Sequence, residues 1–307
     1  MPTIGGDLYA ILAAFIWGLN YPLVKLVLLS IRETDFLLIR FTSTVILLVI
    51  YLVIVKENFK VEKQYYFRIL LLGTLGVGVY NIVWTHGIHN TTAANAALLI
   101  STSPIFTGIY AVITREEKVS LSRWIGTLLA FFGIYLIIKW TPGTQFSFSS
   151  NSFIGNILIL LGSILFSLYS IVAKPLLVCY SPTKVTALAM VSGLPILIIY
   201  SILQGEILSY SVFETRIWLE MAYIIVFGTI IAFVLWYKGI KQTSPVKTVF
   251  FHYIVPVMSM VFGAIILGEK VLEGQIIGAA FVFLGLLAVK CDFQRVTRWV
   301  ITQKSRF

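Results

Sequence analysis

The stretch WTHGIHNTTAANAALLISTSPIFTGIYAVITREEKVSLSRWIGTLLAFFGIYLI, Trp84 to Ile137, returns without a gap as WYKGIKQTSPVKTVFFHYIVPVMSMVFGAIILGEKVLEGQIIGAAFVFLGLLAV, Trp236 to Val289. At a constant shift of about 152 positions, Trp84 falls on Trp236, Gly87 on Gly239, Pro104 on Pro256, Glu117-Lys118-Val119 on Glu269-Lys270-Val271, Gly126 on Gly278 and Gly133 on Gly285. The chain is therefore a duplication. A weaker echo joins the starts of the halves, Gly6 to Lys25 and Gly155 to Lys174, and sets Trp17 against Phe166, Asn20 against Tyr169 and Lys25 against Lys174.

Hydrophobic residues make up 59% of the chain and charged residues 12%, and the mean hydropathy is +0.95. That leaves too little polar surface to cover a water-soluble globule. A spanning helix needs about 20 mainly apolar residues, and ten such stretches can be read. They are Leu8 to Leu29, Phe36 to Val55, Ile69 to His86, Ala93 to Ile113, Leu121 to Ile138, Phe153 to Ala173, Val185 to Leu203, Trp218 to Tyr237, Val246 to Leu267 and Val271 to Val289. The expected fold is an all-α polytopic membrane protein with five helices per half. Because five is odd, the second half must cross the membrane in the opposite sense, which makes the halves inverted repeats.

Charge supports that topology. With a cytoplasmic N-terminus, the inside loops hold Lys56, Lys60, Lys63, Arg68, Arg115, Lys118, Arg123, Lys174, Lys184, Lys238, Lys241 and Lys247, and the tail adds Lys290, Arg295, Arg298, Lys304 and Arg306. The outside loops hold Arg32, Lys139, Arg216 and Lys270, a bias of roughly four to one that obeys the positive-inside rule. Both termini are expected to be cytoplasmic, in a cell (inner) membrane. The net charge of +10 follows from this rule and from anionic lipid, so it does not indicate nucleic-acid binding. The first apolar stretch is too long for a signal-peptide core and is read as a mature helix. Cys179 and Cys291 both map to the cytoplasmic side and suggest no disulfide. The expected organisation is a first repeat at 1–140, a second at 153–290 and a basic tail at 291–307.

Several of these motifs carry a family resemblance. Ala14-Phe15-Ile16-Trp17-Gly18-Leu19-Asn20 followed by Lys25, then Leu38-Ile39-Arg40-Phe41, and then Asn95-Ala96-Ala97 through Pro104 to Glu117-Lys118, Gly126 and Gly133, resemble the EamA family of the drug/metabolite transporter superfamily. The later part is repeated at Pro256, Glu269-Lys270, Gly278 and Gly285, whereas Lys247 replaces Asn95 in the second copy. The resemblance covers nearly the whole chain and implies a ten-helix transporter whose halves surround a central substrate cavity. The family handles amino acids, sugars, nucleosides, other metabolites and drugs, so membership alone leaves the cargo open.

Candidate cavity residues lie on shared helix faces: Trp17, Asn20 and Tyr21 on the first helix, Tyr80 and Trp84 on the third, and Phe166, Tyr169 and Ser170 on the sixth. Rings with amide or hydroxyl neighbours suit a small amphipathic solute, although Trp and Tyr also mark membrane interfaces. Trp84 and Trp236, near helix ends, read as belt residues. Pro104 and Pro256 fall inside the fourth and ninth helices and release the carbonyls of Ile100 and His252, as fixed kinks or as points of bending. His252 lies well inside a span and is a candidate for substrate binding or proton exchange, against a packing role. Arg40 and Lys25 near outer helix ends read as snorkelling anchors, with Arg40 paired to Glu33 or Asp35; capture of a substrate carboxylate is the alternative. Gly73, Gly76, Gly78, Gly274 and Gly278 are expected to pack helices.

Every acidic residue falls in a loop or at a helix end under this topology, which argues against a cationic cargo and an acid-based proton carrier. The expected function is secondary transport of a small metabolite, an amino acid or a similar neutral or zwitterionic solute, with a proton or counter-substrate as coupling partner. The alternatives are an exporter of a cationic drug or another metabolite, a membrane-embedded enzyme, or a receptor. No paired membrane carboxylates, metal-spaced His/Cys cluster or nucleophile with a base is apparent, so neither catalysis nor a cofactor is expected.

Overall fold

The computed structural model describes residues 4–90, 93–115, 120–141, 150–204, 214–268 and 270–290, and these are helices and short connections with no strand among them. In chain order the helices are α1 (Ile4–Leu28), α2 (Glu33–Ile54) and α3 (Tyr66–Gly73, Thr74–Val79 and Tyr80–Asn90 end to end). Then come α4 (Ala93–Ile100 and Ser103–Ile113), α5 (Leu121–Lys139), α6 (Ser150–Cys179) and α7 (Pro182–Leu203). The last are α8 (Thr215–Tyr223, Ile224–Ile231 and Ala232–Gln242), α9 (Pro245–Val249, Phe250–Tyr253 and Ile254–Leu267) and α10 (Glu273–Lys290).

Among the described residues, 8 helices are long and apolar enough to cross a membrane. The fourth and tenth expected spans correspond to shorter apolar helices, Leu98–Ile113 and Glu273–Val289. Ile46, Ile50 and Ile54 on α2, Phe132 on α5, Ile199 on α7 and Leu287 on α10 are exposed. An apolar exterior of this extent is stable only against lipid, where the helix satisfies its own backbone. The tail at 291–307, Cys291, the repeated Glu117-Lys118-Val119 and Glu269 lie outside the described residues.

The two halves interlock. α1 packs on α8 and α9, α6 packs on α3 and α4, α2 lies against α7 and α8, and α5 against α10. These contacts obey the repeat. A Cβ on Gly126 would meet the Gly285 carbonyl oxygen at 2.5 Å and one on Gly133 the Gly278 oxygen at 2.5 Å. Since Gly126 corresponds to Gly278 and Gly133 to Gly285, the two copies of this helix run antiparallel and face each other across an approximate twofold axis. Small residues permit this approach, in which backbone packing replaces a hydrophobic drive that lipid does not supply.

Two π-helical turns, Thr74–Val79 in α3 and Ile224–Ile231 in α8, occupy equivalent places in the repeats. Each receives the equivalent residue of the other half. Gly76 lies so close to Tyr169 that a Cβ would come within 1.9 Å of its ring, and Gly228 so close to Asn20 that a Cβ would come within 2.2 Å of Oδ1. In α8 the Thr229 hydroxyl donates to the Ile224 carbonyl at 2.8 Å, a side-chain bond that bridges the widened turn.

Candidate substrate site

The rings singled out in the sequence gather at the crossing of α1, α6, α8 and α9. Phe166 stacks on His252 with ring centroids 4.6 Å apart and planes at 27°. Trp17 meets both edge-on, at 6.1 and 6.0 Å. Trp236 closes the group, 5.1 Å from Trp17 and 5.7 Å from Phe166. Such tilted contacts suit aromatic quadrupoles. Trp236 is 0% exposed, so its reading as a belt residue is overturned. Nearness to a helix end is not nearness to the interface here, because the crossing of α1 and α8 buries the ring. Its indole N–H donates to the Ser170 hydroxyl at 3.2 Å, and that of Trp17 to the Gly228 carbonyl at 3.0 Å.

Tyr80 extends the group along α3, 6.0 Å from Phe166, and Tyr21 lies 6.1 Å from Trp84, which is half-buried. The structure therefore brings Trp17, Tyr80, Phe166 and His252 into one group, with Tyr21 and Trp84 as a second pair. Asn20 and Tyr169 belong elsewhere. They fill the two π-turn glycine positions, and Tyr169 stacks on Tyr237 at 5.2 Å. Each packs against a π-turn glycine, while Asn20 Oδ1 and the Tyr169 hydroxyl are buried with no hydrogen-bond partner among the described residues.

The prolines also differ from expectation. Pro104 does not kink a continuous helix; α4 is interrupted at Ser101-Thr102, and Pro104 lies in the first turn of Ser103–Ile113, where a missing N–H costs nothing. The freed Ile100 carbonyl accepts from the Ser163 hydroxyl at 3.3 Å, and the Ser103 carbonyl from Ser167 at 2.8 Å. Serines of α6 thus supply the partners that the break requires. Pro256 lies in the first turn of Ile254–Leu267, and the residues before it, Phe250–Tyr253, tighten into a 3₁₀ turn that carries His252. No hydrogen bond to either ring nitrogen of His252 occurs among the described residues.

Arg40 does not make the ion pair expected of it. It pairs with neither Glu33 nor Asp35; Asp35 is taken by Arg32 at 2.9 Å. Arg40 is instead 7% exposed, and its Nε donates to Thr229 Oγ1 of the α8 π-turn at 2.8 Å. Phe36 and Phe41 lie 5.7 and 5.1 Å from the guanidinium carbon. Lys25, by contrast, is exposed.

A bundle of lipid-facing helices made of two interlocked copies is the architecture of a polytopic membrane protein, and the family match makes it a transporter. The chain belongs to the EamA-like transporter family of the drug/metabolite transporter superfamily, matching it over residues 4–139 and 153–290. It is 28% identical over 219 residues to the uncharacterized transporter YyaM of Bacillus subtilis, covering 71% of each chain. It is 22% identical to a probable terminal-alkyne amino-acid exporter of Streptantibioticus cattleyicolor, over 72% of each. One solved structure, described only as a crystal structure of a protein, superposes with a TM-score of 0.81 over 95% of this chain and 98% of that one, at 17% identity. That likeness supports the fold alone.

Proposed function

We propose that this chain is a ten-helix secondary transporter, with two inverted five-helix repeats that move a small neutral or zwitterionic metabolite by alternating access. The observation that carries the reading is the unequal packing of equivalent positions. Trp236 is fully buried and Phe250 nearly so, whereas their equivalents Trp84 and Leu98 are only half-buried. An inverted repeat that is thickly packed at one end of the seam and looser at the other has the form of a transporter caught on one side of its cycle.

The packed end is the one that carries Ile4, where Gln242 of α8 meets Gly5 and Gly6 of α1. By the distribution of Lys and Arg this end is cytoplasmic, in the inner membrane, so the looser end faces outward. An amino acid fits the site best. The rings of Trp17, Phe166 and Tyr80 offer apolar surface, and the amino-acid cargo named for the Streptantibioticus cattleyicolor relative belongs to the same chemical class. His252, with no hydrogen bond to either ring nitrogen among the described residues, is the candidate for proton exchange.

Uptake of labelled amino acids, nucleosides and sugars into liposomes containing the purified protein tests the proposal. Saturable uptake of an amino acid supports it, and accumulation driven by a pH gradient and lost in His252→Gln identifies the coupling group. Protein-independent flux for every solute would refute it.

A further inference from the structure

Arg40 poses a problem that the packing leaves open. It is a buried cation within an apolar helix, about two helical turns from the start of α2, and among the described residues no carboxylate pairs with it. An uncompensated charge in such a place is strongly unfavourable unless something of opposite sign joins it, which makes it a functional position by default. The Phe36 and Phe41 rings and Thr229 hold the side chain in place without neutralising it.

The orientation of the guanidinium narrows what that something is. With Nε already donating to Thr229, the side-on edge of the fork is occupied and the end-on edge, formed by the two Nη atoms, remains. Neither Nη has a protein partner among the described residues, and neither is among the sealed polar atoms of the interior. Two parallel N–H donors on one planar edge match the two oxygens of a carboxylate. The hydroxyls of Tyr21 and Tyr80 are within electrostatic range of the guanidinium and are also without hydrogen-bond partners among the described residues. From Tyr80 the line of rings continues to Phe166 and on to His252.

We propose that Arg40 binds the carboxylate of the transported solute through its Nη edge, with Tyr21 and Tyr80 donating beside it and the apolar part of the solute lying toward Phe166. The cargo is then a carboxylic acid, either zwitterionic or anionic, and the Arg40–Thr229 bond ties its binding to the α8 π-turn. The proposal rests on the transport reading above and adds a charge requirement to it.

Purified protein is tested by thermal shift against matched pairs that differ only at the carboxyl group: L-leucine with L-leucinamide, L-phenylalanine with L-phenylalaninamide, and 3-phenylpropanoate with 3-phenylpropanamide. At least one acid is expected to raise the unfolding midpoint while its amide does not. Arg40→Gln should weaken that acid by about tenfold to a hundredfold, the loss of a charge-assisted pair. Thr229→Val keeps the charge but frees the fork, and should weaken the acid by a smaller factor. This variant carries the test if Arg40→Gln does not fold. Stabilisation by no acid, equal stabilisation by acid and amide, or unchanged acid affinity in the variants would overturn the proposal. Liposome flux separates the two readings. Saturable transport of a cargo without a carboxylate refutes the Arg40 assignment alone, whereas acid-selective binding without flux refutes transport alone.

Discussion

Gly133→Ala is the sharpest probe of the seam between the repeats. The new methyl would lie 2.5 Å from the Gly278 carbonyl oxygen and 2.7 Å from the Val282 nitrogen, both backbone atoms that no rotamer change can move. Restoring ordinary contact at 3.4 Å requires α5 and α10 to part by about 1 Å. A gap of that size forfeits roughly a quarter to a half of the dispersion energy of each contact it opens. Overpacking costs about 1–3 kcal/mol, and the better helix propensity of Ala returns about 0.5–1, so the expected net loss is about 1–2 kcal/mol. The mirror change Gly278→Ala meets the Gly133 oxygen at 2.6 Å and should lose a similar amount. Once one methyl has parted the helices, the other enters the same gap, so the double variant should lose less than the two singles together, by about 1 kcal/mol. Gly162→Ala is the control. Its nearest neighbours are 3.9 and 4.0 Å away, so it should be neutral or more stable by about 0.5–1 kcal/mol. SDS titration in mixed micelles, followed by tryptophan fluorescence, measures all four. Wild-type stability in Gly133→Ala, or strict additivity in the double variant, would show that the two copies do not meet at this seam.

Trp17→Phe keeps the ring packing but removes the indole donor from the Gly228 carbonyl, and should destabilise the protein by about 1–3 kcal/mol in the same titration. Ser163→Ala withdraws the hydroxyl that serves both Ile100 and Thr102 at the α4 break; a loss of about 1–2 kcal/mol is expected, and wild-type stability would mean that the break finds its partners elsewhere. Cys179 is exposed and should react with a membrane-impermeant maleimide only when the reagent reaches the cytoplasmic face, with Cys291→Ser as background. Labelling of intact cells from outside would invert the topology.

Much of the fold is legible in the sequence because two strong signals agree: long apolar stretches and a gapless repeat. The glycines at 126, 133, 278 and 285 mark the repeat by recurring in register, and the structure sets them at the seam where α5 meets α10. The interruptions within helices were hidden for a physical reason. The π-turns Thr74–Val79 and Ile224–Ile231 pack at their glycines against Tyr169 and Asn20, which are far away in the chain. Arg40 was obscured in the same way. Its natural local partner, Asp35, lies nearby in sequence, while its actual partner, Thr229, lies 189 positions away. Sequence proximity favoured the ion pair, but the acid was already held by Arg32.

The repeat also separates scaffold from site. Where the copies carry the same residue, as at Gly126 and Gly278, Gly133 and Gly285, or Pro104 and Pro256, the structure uses it to bring backbones together or to begin a helix segment. Where they differ, polar groups without a hydrogen-bond partner among the described residues appear. Tyr80 stands opposite Ala232, Tyr21 opposite Ser170 and His252 opposite Ile100. A duplicated bundle must keep its packing residues in both copies to preserve the twofold seam. A bound solute, by contrast, has no such symmetry, and the residues that grip it are free to diverge. Divergence between the copies at polar positions of the interior therefore directs the test of cargo contact to half-buried Tyr21 and Tyr80 and to buried His252, and also to buried Asn20 and Tyr169, whose Oδ1 and hydroxyl have no hydrogen-bond partner among the described residues.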